Sequence, residues 1–256
     1  MPYETLVVDR KDTVQIITLH RPERLNTINM QFMADIQHAV AEAAENDAVR
    51  SVVITGAGRA FCAGADLSEI GNAELLKKNA PRYTFFNQIE DCPKPVVAAV
   101  NGHCIGGGLE LALCCDFIIA AETARMGLTE ARLGIIPLAG GTVRLPRWIG
   151  LSRAKELLYT GDRIDGRTAY AMGLASRVVA PEKLMDEALA FCSRFAHSAP
   201  LSIKTIKTLI HQGLQMDIMS ALDFERKAGE ALIHTEDHRE GITAFFEKRE
   251  PLFRNR

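Results

Sequence analysis

The stretch NGHCIGGGLELALCCD, residues 101–116, limits the possible folds more than any other part of the chain. Its three consecutive glycines, residues 106–108, precede an apolar run that contains one carboxylate, Glu110. Glycine lets a backbone approach another group closely, and a buried carboxylate is unfavourable unless it has a partner or a chemical task. The stretch therefore predicts a buried helix that starts at a close backbone approach, with a specific role for Glu110.

Composition indicates a globular protein and gives no sign of a nucleic-acid or membrane partner. The 256 residues are 47% apolar and 24% charged, with a formal net charge of −2. The chain therefore has no net positive charge that would attract a polyanion. No apolar run approaches the roughly 18 residues that suggest a membrane span, and the first ten residues carry no basic, apolar leader. We expect a cytoplasmic chain of one large domain, or of one domain with an appendage.

The cysteines and histidines predict neither disulfides nor a metal centre. Six cysteines occur without a C-x-x-C pair and mostly among apolar residues, which is typical of reduced thiols in a cytoplasmic protein. His234 and His238 would share one face of a helix, but no third ligand lies near them in the sequence. We therefore expect no metal ion.

Strand and helix patterns alternate in the first part of the chain. ETLVVDR, VQIITLHRP and SVVITGAG are rich in β-branched residues and end in turn formers, so they predict strands. Residues 30–49 repeat apolar side chains at helical spacing, PKPVVAAVNG predicts a buried strand before a helix at residues 109–115, and DFIIAAETARMGL returns to strand. From about residue 197 only helical patterns remain. The sequence thus predicts an α/β core over residues 1–196 and a helical C-terminal region over residues 197–256.

Two glycine-containing junctions suggest a pair of backbone donors. GRAFCAGADLSEI, residues 58–70, follows a strand and leads to a helix start at Asp66, and residues 106–108 lead to a second helix. The N–H groups at a helix start lack intrahelical acceptors and lie at the positive end of the helix dipole. If the two junctions face each other, their N–H groups form an oxyanion hole, which contributes roughly 3–4 kcal/mol per donor. Glu110 and Glu130 would then transfer protons beside the bound carbonyl.

Each of these residues also has a purely structural explanation. The glycines are compatible with tight turns, Asp66 with a helix cap, Glu110 with a buried ion pair to an arginine, and Glu130 with a solvated surface. Other kinds of site lack their motifs. The chain contains no P-loop and no G-x-S-x-G elbow, and Phe61 stands where GAGRAF would need the third glycine of a dinucleotide fingerprint.

Six motifs in a fixed order carry a resemblance to a known family. RPERLNTIN, AFCAGADL, NGHCIGGGLELALCCD, GLTEARLGIIPLAGGTVRLPR, AKELLYTG and EGITAFFEKR together resemble the crotonase (enoyl-CoA hydratase/isomerase) superfamily over essentially the whole chain. The resemblance implies an α/β fold, a crotonase-like spiral of ββα units with a helical C-terminal region that forms trimers, commonly paired as hexamers. It also implies an acyl-CoA thioester as substrate, with CoA part of that substrate and no separate cofactor.

The resemblance also assigns site residues. Ala65 and Gly107 match the two oxyanion amides, and Glu110 and Glu130 match the two glutamates of the hydratases. They imply addition of water across the 2,3-double bond of a trans-2-enoyl-CoA, with the two carboxyls titrating as a coupled pair. The positions assigned to substrate or CoA are Arg24, Asn26, Ile28, Arg59, Ala63, Asp66, Leu67, Leu138, Phe245 and Lys248, the last two contributed by a neighbouring subunit.

The sequence does not determine the acyl chain. Leu138 stands where many family members have glycine, and GLELAL and MGLTEARLGIIP also resemble the 3-methylglutaconyl-CoA hydratases. A hydratase for branched, carboxylated or cyclic enoyl-CoA, an isomerase that needs one carboxylate, and a non-catalytic acyl-CoA-binding protein are therefore alternatives. One member of that branch binds RNA through a lysine-rich helix, but residues 30–49 contain no lysine or arginine, so we expect no RNA binding.

Overall fold

The computed structural model of the chain describes residues 3–66 and 81–256. Its strands are β1 (Leu6–Lys11), β2 (Val14–Leu19), β3 (Ser51–Gly56), β4 (Ala60–Cys62), β5 (Val96–Val100), β6 (His103–Ile105), β7 (Phe117–Ala121), β8 (Arg125–Gly127), β9 (Ile164–Asp165) and β10 (Arg177–Val179). Its helices are α1 (Met30–Glu45), α2 (Pro81–Glu90), α3 (Gly107–Leu113), α4 (Gly141–Ile149), α5 (Leu151–Thr160), α6 (Gly166–Met172), α7 (Leu184–Ser193), α8 (Pro200–Gly213), α9 (Ile218–Ile233) and α10 (Glu236–Glu247). Within these two ranges, no helix is long and apolar enough to cross a membrane.

The strands form two sheets. The larger sheet has the order β1-β2-β3-β5-β7-β10, in which β1 and β2 are antiparallel and all other neighbours are parallel. The smaller sheet has the order β4-β6-β8-β9, in which β4, β6 and β8 are parallel. Along the chain β3 is followed by β4, β5 by β6 and β7 by β8, so the chain visits both sheets in every turn. This is the ββα spiral that the motifs imply, and that prediction is confirmed.

The large sheet carries the core because its central strands are covered on both faces. All five residues of β5 are buried, as are the first five of β3. Helix α7 contacts β3, β5 and β7. Parallel strands buried on both faces form continuous apolar runs rather than alternating ones, which explains why the sequence VVAAV has no polar position.

The predicted first helix is confirmed with a shorter C-terminal end. Helix α1 begins after Asn29, whose side chain accepts a hydrogen bond from the Phe32 N–H, and it ends at Glu45 rather than residue 49. Its buried residues recur every three or four positions, at Phe32, Ile36, Ala39, Val40 and Ala43. That spacing is the amphipathic stripe by which the helix packs on the core.

The end of the chain is helical, as predicted, and no described residue after Val179 belongs to a strand. Helices α8 to α10 and the residue that follows α8 leave a set of large apolar side chains exposed. These are Ile206, Ile210, Leu214, Ile218, Met219, Leu222, Ile233, Ile242, Phe245 and Phe246. A surface of this kind marks an interaction site more often than a solvated face.

The small sheet is the part of the fold that the sequence pattern misses. Strands β4 and β6 have three residues each, too few for a period-2 pattern, so residues 58–63 look like a loop in the sequence. Helix α3 is also displaced from its prediction, since it begins at Gly107 and ends at Leu113. The helix expected to start at Asp66 lies outside the described residues.

Candidate active site

The Ala65 amide is left without a partner by the local strand pairing. Ala65 forms an isolated parallel bridge with Ile28. In that bridge the Ile28 N–H donates to the Gly64 carbonyl at 2.8 Å, and the Asp66 N–H donates to the Ile28 carbonyl at 2.9 Å. Because parallel pairing uses the residues on either side of Ala65, its own N–H points away from Ile28. No oxygen in the described part of the chain accepts a hydrogen bond from it.

The Gly107 amide is the second donor. Gly107 is the first residue of α3, so its N–H has no intrahelical acceptor. A Cβ built at Gly107 would lie 3.5 Å from the Ala65 nitrogen, which shows that the two amides are neighbours. A Cβ at Gly108 would lie 2.0 Å from the Cys62 carbonyl oxygen. A side chain at Gly108 would therefore push α3 off β4 and separate the two donors.

Glu110 lies in the first turn of α3 and is only 3% exposed. Its Oε1 atom accepts hydrogen bonds from the Ala139 N–H at 2.7 Å and from the Gly141 N–H at 2.8 Å. Gly141 is the first residue of α4, so the carboxyl group also faces a helix N-terminus. These contacts fix the position of Glu110.

Glu130 approaches the same place from the other side. It begins a short 3-10 helix, Glu130–Leu133, three residues after β8, and a Cβ built at Gly106 would lie 2.9 Å from its Oε1 atom. Gly106 has φ of 55° and must stay small here. The Oε2 atom of Glu130 is buried and has no hydrogen-bond partner among the described residues.

The environment of Glu130 changes its acidity. Burial raises the pKa of Glu130 to about 7, a backbone hydrogen bond lowers it, and the charge of Glu110 raises it further. The Glu130 carboxyl is therefore close to half protonated at neutral pH. A carboxyl poised in this way next to a second carboxyl is suited to donate and recover a proton.

Both carboxyls and both free amides line one cavity of about 410 Å³. The remaining lining is mainly apolar and includes Ile28, Met30, Met33, Phe86, Leu133, Ile135, Ile136 and Leu138. Several of these side chains are substantially exposed, with Leu133, Ile136 and Leu138 at 61%, 62% and 52%. The cavity thus offers an open apolar wall opposite four convergent polar groups.

The structure brings together most of the residues predicted from the sequence. Ala65, Gly107, Glu110, Glu130, Ile28, Ala63, Asp66 and Leu138 all line this cavity. Arg24, Arg59, Phe245 and Lys248 are exposed and do not line it, so their assignment to CoA remains a prediction. Leu67 lies outside the described residues.

The prediction for Asn26 is corrected by its burial. Asn26 is 0% exposed, so it offers no surface to a ligand. Its amide nitrogen donates to the carbonyl oxygens of Ala57 at 3.0 Å and Ala60 at 2.8 Å, and its oxygen accepts from the Arg21 N–H at 2.8 Å. Asn26 therefore braces the loop between β2 and α1 against β4.

Two functional contacts were missed from the sequence, the Ala139 and Gly141 amides that hold Glu110. The only signal for them is the glycine pair at residues 140–141 directly before a helical pattern, which resembles an ordinary turn and helix start. Their partner lies about 30 positions earlier in the chain, and no local pattern shows that separation.

Comparisons with known proteins agree with this geometry. The family model described as Enoyl-CoA hydratase/isomerase matches residues 9–256. The chain is 39% identical to the crotonyl-CoA hydratase of Syntrophomonas wolfei, with 99% of each chain covered. It is 37% identical to the short-chain-enoyl-CoA hydratase of Clostridium acetobutylicum, with 100% of each covered. Among solved structures, the enoyl-CoA hydratase from Bacillus anthracis superimposes with a TM-score of 0.95 at 41% identity, covering 99% of this chain and 100% of that one.

Proposed function

Because the chain belongs to the enoyl-CoA hydratase/isomerase family and is an enoyl-CoA hydratase, we propose that its Glu110–Glu130 pair adds water to a trans-2-enoyl-CoA. The product is the 3-hydroxyacyl-CoA. The observation that carries this assignment is the meeting of two carboxyls and two free amides in one cavity. Acyl-CoA binding alone would not need the carboxyl pair.

The two amides bind the thioester oxygen. When water adds to C3, negative charge develops on that oxygen as the thioester becomes an enolate. The Ala65 and Gly107 N–H groups are held in place by the Ile28 bridge and by α3, so they need no rearrangement as the charge appears. Donors of this kind contribute about 3–4 kcal/mol each to the stability of the transition state.

One glutamate takes a proton from the attacking water, and the other gives a proton to the substrate. The Glu110 carboxylate removes a proton from the water whose oxygen forms the bond to C3. The Glu130 carboxylic acid delivers its proton to C2, and the enolate collapses to the thioester. The pair then holds one proton again, now on Glu110, which is the state from which the reverse dehydration starts.

The acyl chain and the CoA moiety occupy different surfaces in this proposal. The apolar wall with Leu138 holds the acyl chain, while Arg24 and Arg59 lie outside the cavity, where the CoA phosphates would extend. A cavity of about 410 Å³ is large enough to hold an acyl chain. Arginine is suited to phosphate by its fork of N–H donors.

We also propose a homotrimer or a dimer of trimers in the cytoplasm. The exposed apolar side chains of α8 to α10 support the assembly, because such a surface is unfavourable in water. In that assembly Phe245, 76% exposed, and Lys248 reach the CoA of a neighbouring subunit. The six cysteines, all buried with free thiols, support a reducing compartment.

Hydration of crotonyl-CoA, followed by loss of the enoyl-thioester absorbance, tests the proposal. We expect rapid turnover by the wild type and a loss of about 10³-fold or more in Glu110→Gln and in Glu130→Gln. Glu122→Gln is a matched control, because Glu122 pairs with Arg167 and does not line the cavity. If Glu110→Gln keeps most of the activity on a 3-enoyl-CoA, the chain is an isomerase instead. Binding of CoA esters without turnover of any enoyl-CoA would reject both enzymes.

A further inference from the structure

An ion pair lies behind the loop that holds Glu110. Arg144, on α4, donates from Nε to Oε1 of Glu90 at 3.1 Å and from Nη2 to Oε2 at 2.5 Å, so the contact is bidentate. Nη1 of Arg144 donates to the Ala139 carbonyl oxygen at 2.9 Å. Neither Arg144 nor Glu90 lines the cavity that contains the two glutamates, so neither touches a substrate held there.

Residues 139–141 present three successive peptide groups that point in alternating directions. The Ala139 and Gly141 N–H groups both point to Oε1 of Glu110. The Ala139 carbonyl, which belongs to the peptide group between them, points to Arg144. Gly140 allows this reversal because its φ is 103°, and converging N–H groups of this kind form an anion-binding nest. Arg144 therefore holds the peptide group that joins the two donor-bearing peptides, and so it fixes their orientation relative to each other.

The guanidinium group and the loop fit each other closely. A Cβ built at Gly140 would lie 2.0 Å from Nη1 of Arg144, so the guanidinium occupies the place where a side chain would stand. The Arg144 side chain is 14% exposed and that of Glu90 is 29% exposed. Glu90 is the last residue of α2, and its carboxylate sets the direction in which the Arg144 fork points.

We propose that Arg144, oriented by Glu90, is a positioning residue for Glu110 that holds residues 139–141 in their converging conformation. The inference rests on the proposed function, since it concerns the proton transfer assigned to Glu110. It adds a functional pair that lies outside the cavity and acts only through the backbone. The chain Glu90–Arg144–Ala139–Glu110 links helices α2 and α4 to the catalytic carboxyl on α3.

A second cavity makes this proposal testable by chemical rescue. It has a volume of about 700 Å³, lies between α2, α4 and α8, and is lined by both Glu90 and Arg144. A small cation can therefore reach from that side the space that truncation of Arg144 would create. Guanidinium has the shape and donors of the missing group, which sodium lacks.

The test compares Arg144→Ala with and without guanidinium chloride at concentrations well below denaturing ones. In Arg144→Ala, kcat for crotonyl-CoA should fall about 10- to 100-fold while KM changes less than about threefold, because Glu110 moves but thioester binding is retained. Guanidinium should restore kcat by about tenfold, and an equal concentration of NaCl should not. Arg144→Lys should retain part of kcat, since one ammonium cannot satisfy both partners, and it serves if the alanine variant does not fold.

Arg177→Ala is the matched control, since it removes another arginine–glutamate pair, Arg177–Glu187, between β10 and α7. It should leave kcat unchanged. Unchanged kcat in Arg144→Ala, beside an active wild type, would overturn the inference and leave the hydratase assignment intact. A crystal structure of the variant gives a readout independent of turnover. The Ala139 and Gly141 N–H groups should no longer both lie within about 3.5 Å of the Glu110 carboxylate, and an intact pair of bonds would also overturn the inference.

Discussion

The rate of hydration should fall as the pH rises through about 7, because Glu130 loses its proton there. This fall is the alkaline limb of the pH profile. In the proposed mechanism, hydration needs the Glu130 carboxyl protonated and the Glu110 carboxyl ionised. Burial raises the pKa of Glu130 to about 7, so raising the pH through 7 removes the proton that C2 must receive. For one group with that pKa, the protonated fraction falls from about 91% at pH 6 to about 9% at pH 8. We expect kcat/KM to fall by about tenfold over this interval.

The assay is the initial rate of crotonyl-CoA hydration at substrate concentrations below KM, with ionic strength held constant from pH 5.5 to 9. The reverse dehydration of 3-hydroxybutyryl-CoA is measured over the same range. Because the overall reaction takes up no proton, the ratio of the two kcat/KM values equals a pH-independent equilibrium constant. The dehydration must therefore show the same limb, and this serves as an internal check of the measurements.

The result that would refute the reasoning is a flat kcat/KM for hydration between pH 6 and 9. Such a profile would mean that Glu130 does not deliver its own proton or that its pKa lies well outside this range in the free enzyme. A limb near pH 7 that persists in the residual activity of Glu130→Gln would assign it to another group. The matched control Glu122→Gln should reproduce the wild-type limb, because Glu122 pairs with Arg167 on the surface.

Two further predictions concern stability. The pKa of Glu130 is raised from 4.5 to about 7, so the folded state holds its proton after the unfolded state has lost it, and stability falls as pH rises through this window. Glu130→Gln should therefore raise Tm by about 2–4 °C at pH 8 and have little effect at pH 4.5, measured by differential scanning fluorimetry; an equal gain at both pH values would contradict the ionisation argument. Asn26→Ala should lower the free energy of unfolding by about 2–4 kcal/mol in urea titrations, because it leaves the carbonyls of Ala57 and Ala60 without their donor in the core. Loss of the exposed amide in Gln88→Ala should cost less than about 0.5 kcal/mol, and a similar loss in both variants would show that Asn26 is not a brace.

The sequence predicts the groups proposed for catalysis better than it predicts the contacts that hold them. Glu110 is visible because a carboxylate is unusual within an apolar helix. The glycine run is visible because three consecutive residues without side chains are unusual at the start of one. Helix α1 is visible because its apolar spacing follows from the face that it buries, and strand β3 is visible because it is a short run rich in β-branched residues. In contrast, Asn26 is a loop amide, and only its burial distinguishes a brace from a ligand contact.

The groups that hold Glu110 in place are still harder to predict from the sequence. The Ala139 and Gly141 amides contribute through the backbone, so their side chains carry no chemical signal. Arg144 appears in the sequence as one of two arginines on an amphipathic helix. Its bonds to Ala139 and Glu90 depend on how α2 and α4 pack, and that packing follows from contacts distributed over the whole chain.

The small sheet explains why one site can draw its groups from distant parts of the chain. Strands β4, β6 and β8 are parallel neighbours, so their carboxyl ends lie at the same edge. Each strand is followed within two or three residues by a functional group: Ala65 after Cys62, Gly107 after Ile105 and Glu130 after Gly127. The two amides and one carboxyl are thus spaced by the turns of the spiral, and α3 brings Glu110 to face them. A change that shifts the register of these short strands would therefore displace the Ala65 and Gly107 amides and the Glu130 carboxyl together.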